Sequence, residues 1–309
     1  MLPFLTEKFG NASSVHYFGQ EARAALDRAR REVATLVGAR PNEIVFLSGG
    51  TEANNLAIRG LCEQHSAHGR HVITTAIEHS SVRGICEALG RRDWEVTRLP
   101  VYEDGVVRVE DVRAALRPDT VLVTVMLANN EIGTVQPVAE VGALVRERRA
   151  AGQKVWVHTD AVQAAGSLPL DVEGLACDLL SVSAHKLYAP KGVGALYVRR
   201  GVRLAPQNVG GHQERERRGG TEAVPLIVAF GEAARLARLE LEERAERVRS
   251  LRDRFESGLE ARVPDVVRNG DPARRLPGVA RVRQVVFEGL GVGHASQAGV
   301  HARSACAFW

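Results

Sequence analysis

The chain has 309 residues, 45% of them hydrophobic and 25% charged, with a formal net charge of +4. This is the composition of a globular protein, and the length favours two unequal domains over one compact core. The small net charge, with acidic residues among the arginine runs, argues against a nucleic-acid partner, and the lack of any apolar stretch near ~20 residues argues against a membrane span.

Short apolar strands alternate with helical patterns from about residue 20 to residue 200. This alternation predicts an α/β fold whose mostly parallel sheet is covered by helices on both faces, a three-layer α/β/α arrangement. Helices are predicted at 20–39, 51–64, 81–92, 109–116 and 137–151, and strands at 42–50, 71–79, 94–101, 120–131, 154–163, 177–186 and 192–200.

The pattern changes after about residue 222. Residues 224–263 form one long helical pattern rich in Ala, Leu, Arg and Glu, with apolar spacing too irregular for a coiled coil. We therefore predict a large domain over 1–222 and, over 223–309, a linking helix followed by a smaller, incomplete α/β domain.

The four cysteines, Cys62, Cys86, Cys177 and Cys306, are scattered without CxxC or metal-ligand spacing. They predict reduced thiols and no metal site. The N-terminus lacks the basic flank and long apolar segment of a secretion signal. We therefore expect a cytoplasmic protein.

Polar residues cluster where the predicted strands end, which is where open α/β sheets bind their ligands. Gly49, Gly50 and Thr51 lie where a strand meets a helix, and such small residues let backbone N–H groups approach an anion. The Thr51 hydroxyl adds a donor. The pattern is not that of a nucleotide-binding P-loop. His79 ends the next predicted strand.

Two further strand ends carry groups that need partners. Asn129 and Asn130 follow one strand, and Asp160 ends a strongly apolar strand, with Gln163 three residues on. A carboxylate at that depth needs a cationic partner or several hydrogen bonds. We therefore expect Asp160 to have a cationic partner or several hydrogen bonds.

Lys186 ends another predicted strand, with Ser183 and His185 beside it. We expect this lysine to be buried, and a buried lysine is costly unless it is neutral, paired or covalently used. A lysine, a buried carboxylate, a flat ring and an anion site are together what pyridoxal phosphate requires. Lys191 is interpreted as a surface or phosphate-proximal lysine.

Seven segments follow one another along the chain: FGNASSVHYFGQEA, VFLSGGTEANNLAI, AIEHSSV, ANNEIGTVQPV, HTDAVQAAG, SAHKLYAPKGVGALYVRR and GGHQERERRGGTEAV. Together they resemble the cysteine desulfurases, which belong to the class V branch of the fold-type I pyridoxal-phosphate enzymes. The resemblance runs almost unbroken from residue 8 to about residue 262. It implies a transferase that converts L-cysteine to L-alanine and carries the sulfur as a persulfide on its own cysteine, for iron–sulfur cluster assembly or thiolation.

The resemblance also implies a role for each matching residue. Lys186 is the Schiff-base lysine, Asp160 is the partner of the pyridine nitrogen, and His79 stacks on the ring and shuttles protons. Gln163 bonds the ring hydroxyl, and Asn130 lies near cofactor and substrate. The residues expected to hold the phosphate are Gly50, Thr51, Ser183, His185 and, across a homodimer interface, Thr221.

The match departs from the family at both ends of the chain. Cys306 follows Ser304 and Ala305 where relatives carry the sulfur-accepting cysteine on a mobile loop, but Arg303 replaces the usual glycine. Relatives also have an extra N-terminal strand and a longer C-terminal region, with an arginine for the substrate carboxylate. We expect Cys306 to be the nucleophile of a chain shortened at both ends.

Two alternatives stay open on this basis. One is another class V enzyme, an aminotransferase or a selenocysteine lyase, which shares Lys186 and Asp160. The other is a non-catalytic remnant that binds the cofactor or dimerises. The segments GGTEANNLAI and RRGGTE favour the desulfurase, whose expected partners are L-cysteine and a sulfur-acceptor or iron–sulfur scaffold protein.

Overall fold

A seven-stranded sheet lies at the centre of the chain. The computed structural model describes residues 1–287 and 300–308, with side chains up to residue 283. The strands are β1 (Ile44–Leu47), β2 (His71–Thr75), β3 (Glu95–Leu99), β4 (Thr120–Thr124), β5 (Trp156–Asp160), β6 (Leu179–Ser183) and β7 (Gly194–Val198). Their spatial order is β1–β7–β6–β5–β4–β2–β3, and within this sheet β7 alone runs against the others. The prediction of a mostly parallel sheet is confirmed.

Helices cover both faces of this sheet. They are α2 (Tyr17–Leu36), α3 (Gly50–His65), α4 (Ser80–Gly90), α5 (Val109–Ala115), α6 (Val138–Ala150) and α7 (Val224–Leu239), while the short α1 (Pro3–Thr6) buries none of its residues. Successive residues of β1 point to opposite faces, so Ile44 and Phe46 join the core that contains α2, α6 and α7. Val45 and Leu47 join the core that contains α3 and α4. The predicted three-layer α/β/α arrangement is confirmed.

The single long helix expected over 224–263 is in fact two helices. After α7 comes α8 (Leu241–Glu260), and the break falls at Glu240, whose ψ of 4° leaves the helical range. The physical reason is packing, because α7 buries apolar side chains and Gly231 against α2, whereas α8 is mostly exposed. None of the described helices combines the length and the apolar character that a membrane crossing needs. The domain boundary at 222/223 stays a prediction.

A second sheet, antiparallel and three-stranded, follows α8. Its strands are β8 (Val266–Arg268), β9 (Val279–Phe287) and β10 (Val300–Phe308), in the spatial order β10–β9–β8. The segment between β8 and β9 reaches back to the loop that follows β4. There Val135 donates its N–H to the carbonyl of Arg274, and Leu276 donates to the carbonyl of Gly133, both at 2.8 Å. These bonds tie the loop after β4 to the second sheet.

A buried ion pair fixes the loop after β7 to the edge strand β1. The two carboxylate oxygens of Glu214 accept from the Arg30 guanidinium at 2.6 and 2.8 Å, and one also accepts from the Phe46 N–H at 3.0 Å. Residues 214–216 have φ values of 47°, 57° and 64°. Such left-handed conformations cost a non-glycine residue about 1–2 kcal/mol each. The ion pair offsets this strain and holds the loop that leads to Thr221.

Replacing Glu214 with glutamine is expected to lower the free energy of unfolding by about 3 kcal/mol, because the Arg30 charge would stay buried without its partner. Urea unfolding of both proteins measures this loss. Arg23→Ala is the matched control. Arg23 pairs with Asp27 on the exposed surface of α2, the helix that also carries Arg30, and an exposed pair contributes less than about 1 kcal/mol. Equal losses in the two variants would contradict the role assigned to Glu214.

Candidate functional site

A cavity of about 190 Å³ opens at the carboxyl ends of β2, β4, β5 and β6, beside the N-termini of α3 and α4. The structure places every predicted cofactor-site residue along its wall except Thr221. The cavity is lined by Gly50, Thr51, Asn54, His79, Ser81, Met126, Ala128, Asn130, Asp160, Val162, Gln163, Ser183, His185 and Lys186.

The N-terminus of α3 forms the electropositive end of the cavity. A Cβ at Gly50 would lie 2.8 Å from Cγ2 of Val162 and 3.5 Å from Cβ of Ser183, so the close approach of helix and strands requires glycine. The first N–H groups of this 16-residue helix have no intrahelical acceptors and carry the positive end of its dipole. A phosphate is the natural ligand of such an end.

Two side chains at the end of β6 add polar groups beside this helix terminus. Ser183 Oγ and His185 Nδ1 lie 2.9 Å apart and are hydrogen bonded. Partial burial lowers the pKa of His185, and the charges of Lys186 and Lys191 lower it further. The imidazole is therefore neutral near pH 7, and one of its nitrogens can donate to an anion.

Asp160 is a buried carboxylate that faces the cavity from the last position of β5, with 5% of its surface exposed. One oxygen accepts from Asn54 Nδ2 at 2.8 Å and the other from the Val162 N–H at 3.0 Å. Burial raises the pKa of Asp160, while these hydrogen bonds and the charges of His79 and Lys186 oppose the rise. A cationic ring nitrogen in the cavity would lower the pKa of Asp160 further and stabilise the ionised carboxylate.

His79 is the N-cap residue of α4, and its imidazole lines the cavity. Its Nδ1 accepts from the Ser81 N–H at 3.2 Å and lies 2.8 Å from the Ser81 hydroxyl. With Nδ1 engaged at the helix end, Nε2 is the nitrogen left for other partners. The ring is exposed, so one face is open to a planar ligand.

Lys186 lies in a short 3₁₀ turn, Ala184–Leu187, directly after β6. Its side chain is exposed at the cavity wall, so the expectation that this lysine is buried is wrong. The reason is that the turn lifts residues 185 and 186 out of the sheet layer, whereas Ala184 and Leu187 point into the core. The amine is therefore accessible to a carbonyl compound that enters the cavity.

The cavity also presents unpaired acceptors. Asn54 Oδ1 and Gln163 Oε1 are buried and have no hydrogen-bond partner within the described part of the chain. Unpaired buried acceptors are costly, so a donor on a ligand is expected here. A ring hydroxyl suits Gln163, an aldehyde suits Lys186, and a pyridine nitrogen suits Asp160. These residues fit pyridoxal phosphate.

Two predicted residues lie elsewhere. Thr221 is exposed and lines a different cavity, next to Ser48 and Gly192. Cys306 lies on β10, opposite Arg281 in the register, and its side chain is outside the described residues. The backbone at Cys306 is therefore a strand, unlike the mobile loop described for the relatives, because the nine residues of β10 pair with β9 and satisfy their hydrogen bonds there.

Sequence reasoning missed several lining residues, of which Asn54 and Ser81 are polar. Asn54 lies four positions after Gly50 on α3, so helical periodicity places both residues on one face. This spacing is the sequence signal from which Asn54 could have been predicted as a lining residue. Ser81 lies two positions after His79 in the first turn of α4. The contact of Asn54 with Asp160 depends on the packing of α3 against β5, and no local pattern reports that packing.

Comparison with known proteins identifies the family. The profile described as Aminotransferase class-V matches residues 1–304. The chain belongs to the class V aminotransferase family. A relative within it, the cysteine desulfurase IscS of Dictyoglomus turgidum, is 47% identical over 277 residues, which are 90% of this chain and 69% of the relative. The resemblance to cysteine desulfurases drawn from the sequence is confirmed.

Solved structures of class V relatives share the fold. A NifS-like protein superposes with a TM-score of 0.87 at 38% identity, covering 91% of this chain and 76% of the other. The structure described as SspA in complex with cysteine has a TM-score of 0.80 at 36% identity, covering 91% and 78%. The chain spans 57–72% of the length of eight curated relatives, all named cysteine desulfurases.

Proposed function

We propose that this chain is a pyridoxal-phosphate-dependent cysteine desulfurase that converts L-cysteine to L-alanine and keeps the sulfur as a persulfide. The observation that carries the proposal is a single cavity in which Lys186, Asp160 and His79 surround the N-terminus of a long helix. The relatives named cysteine desulfurase support the substrate. The similar fold of SspA, which was solved in complex with cysteine, supports it as well.

Pyridoxal phosphate, when bound, supplies an electron sink for negative charge that develops on an amino-acid substrate. Lys186 would hold its aldehyde carbon, and Gln163 would bond its hydroxyl. The N-terminus of α3, with Thr51, Ser183 and His185, would hold its phosphate. Asp160 would favour a protonated ring nitrogen, because it presents a buried carboxylate to that side of the cavity.

Proton movement falls to two side chains of this cavity. Lys186 and His79 both line the cavity, where Lys186 Nζ and His79 Nε2 present basic nitrogens to a substrate. Each can take a proton from the substrate or return one to it when held within hydrogen-bond distance. Asp160 is 5% exposed, so its carboxylate is shielded from bulk water.

The sulfur is proposed to pass to Cys306. In the balanced reaction, L-cysteine and an enzyme thiol give L-alanine and an enzyme persulfide, so the C–S bond of the substrate breaks and an S–S bond forms. We further propose a cytoplasmic homodimer in which Thr221 reaches the phosphate of the other chain. A sulfur-acceptor or iron–sulfur scaffold protein would then receive the persulfide sulfur.

The test is to incubate the purified chain with pyridoxal phosphate, L-cysteine and a thiol reductant, and to measure alanine and sulfide. Equal amounts of both products are expected. Cys306→Ser should remove both, whereas Ser304→Ala on the same strand should retain them. Cofactor retention without alanine would instead assign a non-catalytic remnant. Faster turnover of selenocysteine with little alanine from cysteine would assign a selenocysteine lyase.

A further inference from the structure

We infer that Asn54 and Ser81 form a directed hydrogen-bond chain from Asp160 to His79 that holds the imidazole proton on Nε2. The chain crosses from β5 through α3 to the first turn of α4. Asn54 and Ser81 are thus positioning residues, since they act on the reaction through Asp160 and His79. The catalytic meaning of the inference rests on the proposed function, but the hydrogen-bond chain does not.

The direction of the first link follows from the chemistry of Asp160. One oxygen of Asp160 accepts from the Val162 N–H at 3.0 Å, and the other accepts from the amide nitrogen of Asn54 at 2.8 Å. The same nitrogen lies 2.9 Å from Ser81 Oγ. Because an amide nitrogen has two hydrogens and accepts nothing, both links are donations. Ser81 Oγ therefore accepts from Asn54.

The direction of the second link follows from the first. With its lone pair engaged by Asn54, the Ser81 hydroxyl is free to donate its own hydrogen to His79 Nδ1, 2.8 Å away. The Ser81 backbone N–H also points at Nδ1, at 3.2 Å, and a backbone N–H cannot accept. Two donors therefore meet at Nδ1. A neutral imidazole that accepts at Nδ1 carries its proton on Nε2.

The burial of Asn54 indicates that this arrangement is not a by-product of packing. Its side chain is 1% exposed, and its Oδ1 has no partner among the described residues. An apolar side chain of similar size at this position of α3 would avoid that desolvation cost. What the asparagine adds is the pair of donations to Asp160 and Ser81. The two residues that the cofactor would meet, the carboxylate and the imidazole, are thereby linked.

The decisive experiment is independent of turnover. Protein with ¹⁵N-labelled histidine, free of cofactor, is examined by long-range ¹H–¹⁵N correlation to read the His79 tautomer. The wild type is expected to show the Nε2–H form. Ser81→Ala should lower the ratio of Nε2–H to Nδ1–H about fivefold, the effect of one lost hydrogen bond. Asn54→Ala should shift it in the same direction, because it releases the Ser81 hydroxyl from its fixed orientation.

Matched variants control for changes in folding. Ser80→Ala alters the exposed neighbouring residue of the same helix turn, and Asn55→Ala alters the adjacent position of α3; both should leave the tautomer unchanged. Ser81→Thr retains the hydroxyl and should restore the wild-type ratio. An unchanged ratio in Ser81→Ala, with the protein folded, would overturn the inference.

Turnover then separates the inference from the proposed function. In an active wild type, Ser81→Ala is expected to lower kcat about tenfold with little change in KM, because binding is retained and proton transfer is misdirected. If the wild type forms no alanine while Ser81→Ala still shifts the tautomer, the proposed function fails and the inference stands. If kcat falls without a tautomer shift, the inference fails.

Discussion

Lys186→Ala is expected to lower alanine formation from L-cysteine by at least about 10³-fold. Lys186 supplies the one amine on the wall of the cavity, among residues that the structure describes, and it lies in the same cavity as Asp160 and His185. Its loss removes both the covalent attachment point for a carbonyl cofactor and a proton-transferring group. Initial rates at saturating cofactor measure the effect, and cofactor retained after gel filtration reports attachment separately.

Two other lysines make this prediction specific. Lys154 is exposed before β5, at the end of that strand away from the cavity, and Lys154→Ala should match the wild type. Lys191 follows the same turn as Lys186 but does not line the cavity. Loss of activity in Lys191→Ala together with retained activity in Lys186→Ala would assign the attachment to Lys191 and contradict the site described above.

Glu78→Gln is expected to stabilise the folded chain by an amount that grows with pH. Glu78 is 3% exposed and lies directly before His79. One oxygen accepts from the Thr75 hydroxyl at 2.7 Å and from the Met126 N–H at 2.9 Å, while the other has no partner among the described residues. Burial raises the pKa of Glu78 to about 8, against the effect of these hydrogen bonds.

The sign follows from proton binding in the two states. The unfolded chain releases the Glu78 proton near pH ~4.3, whereas the folded chain holds it up to about pH 8. Between these values the folded state binds more protons, so stability falls as pH rises and levels off above pH 8. Glutamine has the shape of the protonated acid and does not titrate. Glu78→Gln should therefore gain on the order of 4 kcal/mol relative to wild type between pH 5 and pH 9.

Urea unfolding of the cofactor-free proteins at several pH values measures this gain. Glu87→Gln is the matched control, because Glu87 lies on α4 next to Cys86 and its side chain is 53% exposed. Its difference from wild type should stay nearly constant across the same range. A constant difference for Glu78→Gln as well would show that Glu78 is already ionised in the folded state.

Local patterns predicted the layers of the large sheet well, because each strand and helix carries its own periodicity. Alternating faces in β1 and helical spacing in α2 and α3 are properties of a few consecutive residues. The same reasoning failed where neighbours decide the outcome. The break at Glu240 depends on α7 packing against α2, and the exposure of Lys186 depends on the 3₁₀ turn that follows β6.

The sequence by itself determined the α/β class, the residues at the strand ends and the family they resemble, since these follow from the type and order of residues. Only the tertiary structure decided which of those groups meet. Asn54 and Asp160 are 106 positions apart, yet their side chains lie 2.8 Å from each other. Contacts of this kind arise because the sheet orders its strands β1–β7–β6–β5–β4–β2–β3, an order that long-range packing sets and that no local periodicity records.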